Sequence, residues 1–80
     1  MITFDHNEKT DVLGVVRLDG EKYQMRQSDS SEPDVWHWQN TRGGGATWVK
    51  VQGIKFTKTL ERVRSEWRRA GGTNKKVKAQ

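Results

Sequence analysis

The chain has no cysteine, and only one proline and one tyrosine, among its 80 residues. Without a thiol there is no disulfide, no thiolate metal site and no cysteine nucleophile. No apolar run approaches the ~20 residues that a helix needs to cross a bilayer. Met1-Ile2-Thr3-Phe4-Asp5 has neither the basic start nor the apolar stretch of a secretory signal. A soluble, cytoplasmic protein that does not bind membranes is therefore expected. Histidine is scarce as well: His6 lies too close to Asp5 and Glu8 to form a chelating set with them, and His37 stands alone. Ser28, Ser30 and Ser31 have no base placed beside them. Neither an enzyme, a metal site nor a cofactor is expected.

Apolar residues make up only 31% of the chain and the mean hydropathy is −1.01, a composition close to that of disordered proteins. Against that stand four tryptophans, Trp36, Trp38, Trp48 and Trp67, each with a large apolar area. They are spread over three segments, as a shared core requires. The expectation is one folded domain over residues 1–72 with a thin core, followed by a disordered basic tail over 73–80. Charge is distributed unevenly. Residues 1–40 carry four basic side chains against eight acidic ones, a net −4, whereas residues 41–80 carry eleven against two, a net +9. The modest total of +5 thus hides a strongly cationic half, which attracts polyanions or acidic protein surfaces.

Asp19-Gly20 lies between two apolar-rich runs, a sequence suited to the type I′ turn of a two-residue hairpin. That turn places Leu18 opposite Glu21, Val16 opposite Tyr23 and Gly14 opposite Met25, on the face predicted to meet the core. Arg17 with Lys22, Val15 with Gln24 and Leu13 with Arg26 fall on the other face. Like charges directly across a strand pair are unfavourable, so Arg17 and Lys22 call for an acidic neighbour or an anionic partner. After a polar loop from Ser28 to Pro33, the alternation of Val35 to Gln39 predicts a strand. The turn Asn40 to Gly45 leads into Thr47 to Val51, which makes a second hairpin. Ile2 to Asp5 adds an edge strand.

A helix is predicted from Thr59, as N-cap, to Gly71-Gly72, with Glu61 in its first turn and Arg68 and Arg69 in its last. Leu60, Val63, Trp67 and Ala70 form one apolar stripe, and Phe56 precedes it at the matching interval. Lys58, Arg62 and Arg69 fall almost opposite. The whole is an α+β fold: a small antiparallel sheet of two hairpins and an N-terminal edge strand, packed against one C-terminal helix.

The cationic set Lys58, Arg62, Arg68, Arg69, Lys75, Lys76 and Lys78 is the main candidate for phosphate contacts, joined by Arg42 in the glycine-rich turn and Lys50 in the strand after it. Trp36 and Trp38 share a face by alternation and are assigned to the core, as is Trp67. Exposed on a sheet, such rings make a stacking platform for single-stranded bases. Trp48 lies on the side of Lys50, opposite Val49 and Val51, and is the candidate contact aromatic.

These residues point to a small non-enzymatic nucleic-acid-binding module with weak sequence preference, DNA favoured over RNA. In size and in tryptophan and arginine content the chain also resembles the short accessory proteins encoded by bacteriophages. That resemblance implies an alternative, a protein that binds and inhibits or modulates a host protein by docking its basic face on an acidic surface. Homodimerisation through the oppositely charged halves is compatible with either.

Overall fold

The computed structural model describes residues 1–75; residues 76–80, including Lys76 and Lys78, lie outside the described residues. Five strands run antiparallel in chain order: β1 (Ile2–Phe4), β2 (Val12–Leu18), β3 (Glu21–Arg26), β4 (Asp34–Asn40) and β5 (Ala46–Lys50). A 3-10 turn over Ile54–Phe56 then leads directly into helix α1 (Thr57–Arg69), which lies across one face of the sheet. The expected α+β architecture is present, and both hairpins and the N-terminal strand join in a single sheet.

At the first turn Asp19 and Gly20 both take positive φ, 53° and 77°, as a type I′ hairpin requires. Leu18–Glu21, Val16–Tyr23 and Gly14–Met25 pair as expected. Leu13 does not pair with Arg26. An irregularity between Val12 and Gly14 gives that place to Val12. The extra residue turns Leu13 onto the core side, where it is 3% exposed.

The core is small and contiguous: Leu13, Val16, Met25, Val35 and Val51 from the sheet side meet Val63 and Trp67 from the helix. Leu60 is partly buried against them, whereas Ala70, at the end of the stripe, is exposed. Trp67 sits over Gly14, where an added Cβ would lie 2.8 Å from two ring carbons, so only glycine lets the helix approach this closely. Beyond the helix, Gly71 takes φ 92°. Gly72 N–H donates to Trp67 O and Gly71 N–H to Arg68 O, both at 2.9 Å, which closes the last turn as a Schellman motif.

The helix begins three residues earlier than expected, with Phe56 at the N-cap position, and Thr59 lies within its first turn instead of capping it. The 3-10 turn already holds the chain in a helical path, and Thr57 Oγ1 donates to Ile54 O at 2.8 Å. Phe56 only borders the core, with 37% of its surface exposed. The start of the basic tail is tied down. Trp67 Nε1 donates to Thr73 O at 3.2 Å, and the Asn74 amide accepts from Ser28 N–H and donates to Ser28 O, both at 3.0 Å. No helix among the described residues is long and apolar enough to cross a membrane.

Candidate functional site

Of the four tryptophans, Trp67 alone enters the core. Trp36 and Trp38 do not, contrary to the assignment made from composition. The reason is the register of the second hairpin: Trp38 pairs with Trp48 and Trp36 with Lys50, so all four side chains leave the same face. Val35, His37, Val49 and Val51 leave the other, toward the helix. A Trp48 outside the core requires a Trp38 outside it, and the pairing of the two was the available signal.

Among the described residues a single helix covers one face of the five-stranded sheet and the second face is left open. Arg17 pairs with Lys22, and one step along β3 and β4 Lys22 falls beside Trp38, which pairs with Trp48. This makes a row of Arg17, Lys22, Trp38 and Trp48 across four strands. The next row runs Thr3, Val15, Gln24, Trp36 and Lys50. Arg26 and Asp34 stand at its far side.

The side chains of this face interlock. Trp38 and Trp48 meet edge to face at 5.0 Å, and Lys22 Nζ lies 5.0 Å from the first ring and 5.7 Å from the second. The Arg26 guanidinium sits 4.0 Å from the Trp36 ring centroid and donates to Gln24 Oε1 at 2.6 Å. Trp36 Nε1–H is enclosed and meets no acceptor among the described residues. Arg17, Lys22 and Arg26 form no ion pair among the described residues, whereas Lys50 Nζ stands 3.8 Å from Asp34. The like charges of Arg17 and Lys22 thus have no carboxylate between them. A hollow of about 510 Å³ opens beside them, lined by Arg17, Lys22 and Trp38 with Gly20, Glu21 and Asn40.

The cations of the helix are disposed differently. Arg62 pairs with Asp19 at 2.7 Å, Arg68 with Glu32 at 2.7 Å and Arg69 with Glu66 at 3.1 Å. The Asp19 hydrogen bond holds the Arg62 guanidinium above its ordinary pKa. Arg64 donates to Pro33 O from both Nε and Nη2, at 3.2 and 3.0 Å. Arg62 and Arg68 are therefore paired with acids of the first half and Arg69 with Glu66 of its own half, so three arginines of the proposed phosphate-binding set are already engaged. Lys58 and Arg42 are exposed, Arg42 in the hairpin turn and Lys58 on the helix, away from the tryptophan rows. Lys75 is exposed at the end of the described chain.

On the core side, His37 Nε2 lies 2.6 Å from Glu21 Oε2 and its ring stacks on Tyr23 at 4.8 Å. Burial, and then the nearby Glu21 carboxylate, raise the Tyr23 phenol above its ordinary pKa. No group of three or more histidine, cysteine or acidic side chains suited to a metal ion occurs among the described residues. In comparisons with known proteins, no family model, no curated protein and no solved structure matches the chain.

Proposed function

We propose that this chain is a small non-enzymatic module that binds single-stranded nucleic acid on the open face of its sheet. The observation that carries this reading is the uncovered row of Arg17, Lys22, Trp38 and Trp48. Aromatic faces stack on unpaired bases of any identity, and neighbouring cations hold the phosphates. Trp38 is the most accessible of these rings, at 38% exposed, with Lys22 above it and Arg17 two strands away. Arg26 covers Trp36 in the free protein; turning to a phosphate, it uncovers that ring and its N–H, which meets no acceptor among the described residues. Base pairs keep their faces stacked on one another, so the rings favour a single strand over a duplex. Stacking also implies weak sequence preference.

The helix, first candidate by charge alone, becomes secondary because Arg62, Arg68 and Arg69 are paired internally. The test is the anisotropy of labelled single-stranded DNA, single-stranded RNA and duplex DNA as protein is added. Trp38→Ala is expected to cost about 1–3 kcal/mol of single-strand affinity, roughly five- to 150-fold. The double change Arg62→Glu and Arg69→Glu is expected to have a much smaller effect. The opposite ranking would move the site to the helix.

A second reading, a modulator that docks on a host protein, draws support from the same tryptophans. Partly exposed tryptophan flanked by arginine is the usual composition of an interface hot spot. It is favoured if the open-face variants leave nucleic-acid affinity unchanged.

A further inference from the structure

We propose that β5 pairs with the β5 strand of a second copy, antiparallel, about a two-fold axis at Trp48. The two sheet edges are not equivalent. β1 is three residues long and its start is fixed by Arg17 N–H donating to Met1 O at 2.9 Å. β5 is five residues long and forms the other edge, without proline or bulge and with no covering strand among the described residues.

The direction of its backbone groups follows from the bonds to β4. Val51 N–H donates to Val35 O, and Gly45 O accepts from Thr41 N–H, each at 2.8 Å. Residues 45, 47, 49 and 51 therefore face β4, and Ala46, Trp48 and Lys50 present their N–H and C=O groups outward. A two-fold axis at Trp48 sets Trp48 against Trp48 and Ala46 against Lys50 of the second copy. All three outward residues then enter hydrogen-bonded pairs, about six backbone bonds in all.

The side chains are self-complementary in the same register. The only charge on β5, Lys50, meets alanine and not its own copy. On the helix side Thr47 comes beside Val49, which is 40% exposed in the single chain. On the open face the rows join into Trp38, Trp48, Trp48 and Trp38 across the axis. The opposite-charge halves are not needed for association, since Arg62–Asp19 and Arg68–Glu32 already join them within one chain.

The test is sedimentation equilibrium of the full chain without nucleic acid, so that it is independent of the proposed function. The mass is expected to rise with concentration from 9.3 kDa toward twice that value. Ala46 is exposed, so its substitution spares the core. Ala46→Glu places a carboxylate opposite Lys50 twice per dimer and is expected to tighten association about ten-fold; Ala46→Lys is expected to weaken it about ten-fold. A mass of 9.3 kDa at every concentration overturns the proposal, as does association that answers to neither substitution or to both alike.

Discussion

Arg17 is the residue at which stability and binding separate most cleanly. It is exposed, forms no ion pair among the described residues, and faces Lys22 directly across the β2–β3 pair. Arg17→Glu turns a like-charge pair into an opposite one, and is expected to stabilise the fold by about 0.2–1 kcal/mol in urea denaturation. The same change removes one phosphate contact, so single-strand affinity should fall and its salt slope flatten by about 0.7. A stabilised variant that binds as before would exclude the row from the site. Trp36 gives a second test. Its enclosed N–H has no acceptor among the described residues, and an unmet buried donor costs about 1–3 kcal/mol. Trp36→Phe keeps a ring beneath Arg26 and removes that donor, so its denaturation midpoint should be no lower than that of the parent chain. Tyr23 sets an alkaline limit. Its phenol pKa is raised in the fold above 10.0, so the fold favours the protonated form. The stability this contributes is complete below the unfolded pKa and is lost as pH rises through the folded one. Urea midpoints compared at about pH 8 and about pH 11 should fall, and less so in Tyr23→Phe.

Among the elements, the first hairpin was legible because Asp-Gly dictates a turn and the turn dictates the register. The bulge at Leu13 was not, since a period of two carries no sign of an inserted residue. Its cause is tertiary: Trp67 lies over Gly14, and the displaced chain brings Leu13 into the core beside it. Gly14→Ala is accordingly expected to cost about 1–3 kcal/mol or more in chemical denaturation, because the new methyl meets both the Trp67 ring and the Thr3 carbonyl. The helix stripe was read correctly at Val63 and Trp67, but its start was not. Thr59 resembles an N-cap, yet the 3-10 turn before it already supplies the helical path. Alternation placed Trp36 and Trp38 together and Trp48 beside Lys50. It could not say which face of β4 the single helix would cover, and scarcity of other apolar groups argued for the wrong one.

For the molecule as a whole, net charge identified a class of partner but not the surface that meets it. The basic half folds back on the acidic half through Arg62–Asp19 and Arg68–Glu32, contacts spanning 43 and 36 residues that no local pattern announces. On the open sheet face Arg17, Lys22 and Arg26 form no ion pair among the described residues and stand beside three tryptophans, while Lys50 at its edge pairs with Asp34. A footprint of about three phosphates follows, with a salt slope near −2 for a single strand. The most direct measurement is an NMR titration of isotope-labelled protein with a short single-stranded oligonucleotide, reading the four tryptophan indole N–H signals. Binding on the open face predicts that Trp36, Trp38 and Trp48 shift together while the buried Trp67 stays still. Shifts confined to the helix, or no shift in the three sheet tryptophans at saturating oligonucleotide, would contradict it.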